Sequence, residues 1–174
     1  MAEHLTAAYA NDIDIRLHGG EPSNKTGFRT TAHEIRPGIV YRDSSVTVTA
    51  FAVPHGRWPQ AFGYRFVTKD RTIVISGDTG PSTVIAQQCN ACDVLVHEVY
   101  SAAQLSTRTP DWQQYHKAYH TSTLELADIA TAAQPKLLVL YHQLYWGATD
   151  EDLLREVRTR YNGSVVAAHD LGVY

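Results

Sequence analysis

The apolar and polar positions of the chain follow one rhythm in its middle and another after it. Between residues 39 and 75 they alternate, as in "VTVTAFAV", where Val46, Val48 and Ala50 are separated by threonines. Such period-two patterning predicts half-buried strands. The run "IVYRDSSVTVTAFAV" reads as two strands around a turn at Asp43-Ser44-Ser45, and "FGYRFVTKDRTIVIS" as a hairpin turning at Lys69-Asp70. Beyond it, strands and helices alternate. A helix from Ser82 to Cys89 leads to the strand "DVLVHE", followed by an irregular stretch through "RTPDW". Ser122 to Glu125 forms a capping box that starts a helix running to about Ala133. "KLLVLYH" is the next strand, "TDEDLLREVRTRYNG" a helix capped by Thr149 and stopped at Asn162-Gly163, and "SVVAAH" a last strand. Near the N-terminus "EHLTAAYA" reads as a short helix and "EPSNKTG" as a loop. Antiparallel strands followed by β/α units predict an α/β fold, a mixed sheet covered by helices on one face.

Composition adds limits. At 174 residues the chain is long enough for one domain with a real core, and one folding unit is expected. A hydrophobic fraction of 44%, a charged fraction of 19% and a net charge of -3 describe an ordinary soluble protein with no basic patch that demands nucleic acid. No apolar run approaches the roughly 20 residues of a membrane span, and "MAEHLTAAYA" has neither the basic start nor the apolar core of a signal peptide. Cys89 and Cys92, in "QQCNAC", have the spacing of a redox pair or half a zinc ribbon. No second pair completes four thiolates, so a structural role is expected, in a framework not built on disulfides.

Candidate chemistry collects where strands stop. Ile73 to Ile75 runs into Asp78, Val94 to Val96 into His97-Glu98, and Leu137 to Tyr141 into His142; His55 follows a strand in the same way, and His120 precedes the capped helix. The carboxyl ends of strands are where α/β proteins build sites, so these groups are expected to converge. Each also has a plainer reading. Asp78 can cap the helix that follows Pro81, His142 can be a buried imidazole bonded to a carbonyl, and His97-Glu98 can be a surface pair. His116 and His120 have the i,i+4 spacing of a zinc helix, but "HKAYH" lacks the glutamate after the first histidine that would serve as base.

In "FAVPHGRWPQAFGYRF", "IVISGDTGPS", "DVLVHEVY", "YHTS" and "LLVLYHQ", taken in that order over residues 50 to 143, the chain resembles the metallo-β-lactamase superfamily, in particular its ribonuclease Z-like and arylsulfatase-like hydrolases. The resemblance implies an αββα sandwich and a dinuclear zinc site. In that reading His55 ligates the first metal, Asp78 bridges both, and His142 ligates the second; neutral imidazoles and a carboxylate suit zinc. His120 would contact the phosphoryl or leaving oxygen, oriented by Glu98.

The family's His-x-His-x-Asp-His signature has no counterpart, because no two of the nine histidines are separated by one residue. The expectation is therefore that residues 1–174 form mainly the second βα half of such a domain. Such a chain would be inactive alone, and would pair with itself or with a complementing N-terminal half across a sheet face that includes Val46, Val48, Ile73 and Ile75. The expected substrate is a small ester: a phosphodiester, sulfate ester or lactone-like compound. The short connection "VTKDRT" leaves no room for a tRNA-gripping insertion, which, with the absence of a basic arm, disfavours nucleic acid. The alternative is a non-catalytic α/β interaction domain or a degenerate family member.

Overall fold

The computed structural model describes residues 2–20, 22 and 24–174. The loop expected over "EPSNKTG" includes Glu21 and Ser23, which lie outside the described residues. Where composition predicts one folding unit, the chain divides into two, Met1–Ile35 and Arg36–Tyr174. The first holds α1 (Ala2–Ala8) and a second helix not read from the sequence, α2 (Ala10–His18). Along α2, Arg16 pairs with Asp12 at 3.0 Å and His18 with Asp14 at 2.9 Å, the i,i+4 spacing that supports a solvated helix. Ile13, Leu17 and Phe28 line a 710 Å³ trough of this unit that contains none of the candidate site residues.

The second unit is a seven-stranded sheet whose spatial order is its sequence order. Strands β1 (Gly38–Arg42), β2 (Val46–Ala52), β3 (Phe62–Thr68) and β4 (Thr72–Ile75) form an antiparallel meander. The first turn is set by Asp43, whose Oδ1 accepts from the backbone N–H groups of Ser45 and Val46 at 2.7 and 2.8 Å. From β4 onward pairing is parallel, through β5 (Val94–Tyr100), β6 (Leu137–Leu144) and β7 (Val165–Ala167). Parallel neighbours need crossovers, and α3 (Thr83–Cys89), α4 (Ala102–Ser106), α5 (Pro110–Tyr119), α6 (Thr123–Ala133) and α7 (Asp150–Arg158) supply them. The capping boxes at Ser122 and Thr149 are both formed.

Two expectations change. The stretch read as irregular is helical: Thr109 precedes Pro110 at the first turn of α5, where a missing N–H costs nothing. Cys89 and Cys92 are joined as a disulfide, both buried, closing the end of α3 onto the start of β5.

The sheet's two faces differ. Val74, Leu95, Leu138 and Leu140 are fully buried with Ile85, Leu126, Leu153 and Val157 of the helices, and this is the hydrophobic core. Val46, Val48, Ile73 and Ile75 point to the other face and are only half-buried. No helix among the described residues is long and apolar enough to cross a membrane.

Candidate metal centre

The strand ends do bring the candidate residues together, through a different local geometry from the one the sequence suggests. Asp78 follows β4 after Gly77, whose φ is 66° and whose position would put an added Cβ 2.4 Å from the Phe62 carbonyl oxygen. Only glycine fits there, and it turns the chain so that Asp78 leaves the sheet edge. Asp78 is not a cap: Ser82 occupies that position of α3.

His142 is not beyond its strand but inside it. Glu98 pairs with Tyr141 and Val99 with Gln143, so His142 is the extra residue of a bulge in β6, with φ 45°. A bulge of this kind re-aims one side chain out of the ladder. His142 Nε2 lies 3.1 Å from Asp78 Oδ1, with its side chain 43% exposed, which removes the reading of a buried imidazole bonded to a carbonyl.

His55 approaches from the opposite side of Asp78, its Nε2 3.9 Å from Oδ2. Its Nδ1–H donates to the Tyr119 carbonyl at 2.8 Å, which fixes the tautomer and leaves the Nε2 lone pair facing the carboxylate. The next residue, Gly56 (φ 54°), donates its N–H to the Ala118 carbonyl at 2.9 Å, and an added Cβ there would meet the Tyr119 ring at 2.1 Å. The His55 loop is thus pinned to the end of α5, which also delivers His120.

Glu98 ties the loops together. Fully buried in β5, its Oε1 accepts from Thr121 N at 2.9 Å and from Thr79 N at 3.3 Å, the residues that follow His120 and Asp78. Its Oε2 stands 3.5 Å from His120 Nδ1, and both of these atoms are otherwise unpartnered. Burial pushes the Glu98 carboxyl up, while His120 and the N–H groups of Thr121 and Thr79 pull against it. For His120, burial disfavours the imidazolium, but Glu98 and Asp78 outweigh it and leave the pKa above the ordinary value. Neither Glu98 nor its neighbour His97 is a surface residue, since both have no exposed area.

The tightest donor set is Asp78, His120 and His142, whose ligand atoms all lie within 4.8 Å of one another. His55 stands one step further out, its ring 5.5 Å from that of His120. His116, in the last turn of α5, is outside the set, so the i,i+4 histidine pair does not act as a ligand pair. The Nε2 atoms of His55 and His142 facing the Asp78 carboxylate are a donor set that fits zinc, while the unsatisfied Nδ1 of His120 faces Glu98. Sequence reasoning missed the Tyr119 carbonyl, the Thr79 and Thr121 N–H groups, and the aromatic side chains of α5. The last had a signal, since Trp112, Tyr115, His116 and Tyr119 recur at helical spacing.

The sequence model described as "Beta-lactamase superfamily domain" matches residues 5–143, most of the chain and every residue of this cluster. The chain belongs to the metallo-β-lactamase superfamily. Within that superfamily its similarity is to ribonuclease Z proteins. That of Bacillus cereus (strain G9842) is 36% identical over 101 residues, 57% of this chain and 31% of the relative. That of Bacillus subtilis (strain 168) is 28% identical, over 77% of this chain and 58% of the relative. Among solved structures, the metallo-β-lactamase fold protein YhfI from Bacillus subtilis superposes with a TM-score of 0.65 at 21% identity, covering 90% of this chain and 58% of that one. The short form of human tRNase Z gives 0.55 at 26% identity, covering 78% and 44%. The chain thus spans less than two thirds of the length of each of these superfamily relatives.

Proposed function

We propose that this chain carries the shared carboxylate and one histidine for each metal of a dinuclear zinc site that hydrolyses a phosphodiester. The observation that supports it is Asp78 standing between His55 and His142, at 3.9 and 3.1 Å, with His120 beside them. In this reading Asp78 would be shared by both metals, while His55 and His142 would each hold one. Bound zinc supplies Lewis acidity toward phosphoryl oxygens and acidifies a water to a pKa of about 7. The chain's own residues do the rest. His120, charged at neutral pH more readily than a free imidazole and backed by Glu98, donates a proton toward the leaving oxygen. Tyr119 and Glu98 hold the two histidines in orientation.

The ribonuclease name of the relatives favours a phosphodiester over a sulfate ester or lactone, and it qualifies the expectation against nucleic acid. A net charge of -3 still favours a small diester over a long polyanion. Three protein ligands shared by two metals leave each with two donors, fewer than the three or four that hold zinc, so activity requires further ligands from a complementing segment. The test is metal analysis of the purified chain together with bis(4-nitrophenyl) phosphate hydrolysis, with and without a polypeptide carrying His-x-His-x-Asp-His. Zinc-dependent hydrolysis that needs the added polypeptide and is lost in Asp78→Ala is expected. Turnover by the chain alone would overturn the need for complementation, and zinc uptake that ignores Asp78→Ala would overturn the site.

A further inference from the structure

Beside the donor cluster stands an assembly of rings that the metal chemistry leaves unused. Trp112, Tyr115, His116 and Tyr119 lie three and four residues apart along α5, so they share one face of the helix. Trp112 stacks on His116 with ring centroids 5.5 Å apart and planes 20° apart, and His116 meets Trp146 at 4.5 Å. Trp146 reaches this position from the loop after β6 with φ 45°, a left-handed backbone that a bulky side chain rarely adopts. Backbone of this kind persists where the surroundings hold it, and it clusters at ligand sites. Arg108 donates to the Trp146 carbonyl at 3.2 Å, and its guanidinium carbon lies 5.8 Å from the Trp146 ring centroid.

Arg108, Trp112, His116 and Trp146 line a cavity of 440 Å³. Its inner wall is continuous with the chemistry: His116 lies 5.7 Å from His120, and His120 lies 5.8 Å from His142, centroid to centroid. A cluster that served only to pack the helix would bury its largest ring, yet Trp112 is 56% exposed. Two indoles, an imidazole and a guanidinium around one opening match a flat aromatic guest joined to an anion. The rings stack on its faces, and Arg108 meets the negative charge or a carbonyl edge.

We infer that this cavity is a subsite for a planar aromatic group carried by the substrate diester, either a simple aryl group or a nucleobase. The inference rests on the proposed function for the ester and adds the nature of what the ester carries. Stacking on aromatic side chains typically strengthens binding by an amount that, for one ring, corresponds to about tenfold or more in affinity.

The test is titration of the full chain, in EDTA and again with zinc, followed by tryptophan fluorescence and calorimetry. The probes are bis(4-nitrophenyl) phosphate, dimethyl phosphate and the dinucleotide UpU. The aryl diester is expected to bind at least about tenfold tighter than dimethyl phosphate. Trp112→Ala and Trp146→Ala should each remove most of that advantage, Trp146→Phe should retain it, and dimethyl phosphate should bind all three variants as it binds the parent. UpU binding like the aryl diester assigns the ring to a nucleobase; UpU binding like dimethyl phosphate assigns it to an aryl group. Equal binding of ringed and ringless diesters overturns the subsite. So does an aryl affinity unchanged in Trp112→Ala, an exposed position whose fold is checked by circular dichroism. Ring-dependent binding without zinc uptake would sink the metal reading alone, and zinc uptake with ring-independent binding would sink the subsite alone.

Discussion

His142 stands 3.1 Å from Asp78 because β6 carries one residue more than β5 at that level. The bulge takes His142 out of the ladder and costs it a left-handed backbone, φ 45°. Two substitutions separate these effects. His142→Gly and His142→Ala should both lose zinc uptake, but the glycine variant should be the more stable by about 1 kcal/mol, since only glycine adopts that φ freely. Metal analysis and urea melts read the two outcomes, and equal stability would show that the backbone there is unstrained.

Glu98 is expected to behave as a structural knot as well as a partner of His120. Glu98→Ala leaves the buried N–H groups of Thr79 and Thr121 without their acceptor, at about 1–3 kcal/mol each. Glu98→Gln keeps one carbonyl oxygen and should recover much of that loss, while still removing the charge that faces His120. Chemical denaturation ranks the variants, and Ala no less stable than Gln would contradict the knot.

Gly56→Ala should weaken the site from outside it. The new methyl would overlap the Tyr119 ring and the backbone would keep φ 54°, so the fold loses about 1–2 kcal/mol and the carbonyl that orients His55 moves. Zinc affinity, measured by competition with a chelator, should fall with it. Unchanged affinity would mean that His55 orientation does not matter to the metal.

His97 sets a pH dependence of the fold. Burial in the core holds its pKa down to about 4, and although Nδ1–H donates to the Glu98 carbonyl at 2.7 Å, Nε2 has no partner that could share a proton. An unfolded histidine titrates near 6.5, so between roughly 6.5 and 4 the unfolded chain binds the extra proton. The stability that depends on neutral His97 is fully present above about 6.5 and is lost as pH falls toward 4, about 3 kcal/mol in all. Denaturation across that window should show this slope in the parent and not in His97→Leu. Parallel slopes would assign the dependence to other groups.

The strands, the capping box at Ser122, the cap at Thr149 and the convergence of Asp78, His142, His55 and His120 were legible because each is written locally: alternation, a Ser-x-x-Glu box, a polar residue after an apolar run. What was not legible depends on register and on partners distant in sequence. A bulge at His142 is set by how β6 pairs with β5, and Tyr141-His142-Gln143 carries no mark of it. The carbonyl of Tyr119 has no side-chain signature at all. Helix α5 carries a start signal in Thr109-Pro110-Asp111, and its ring periodicity is written at Trp112, Tyr115, His116 and Tyr119.

The sheet's order, β1 through β7 with every strand beside its neighbour in sequence, also decides which parts of the chain the site joins. Short turns join β1 to β2 and β3 to β4, whereas helical crossovers separate β4, β5 and β6, with α4, α5 and α6 all lying between β5 and β6. His55 and Asp78 flank β3 and β4, His120 follows α5, and His142 lies in β6. A metal held by Asp78 after β4 and by His142 in β6 would tie together two strands that flank β5 and share no hydrogen bonds with each other.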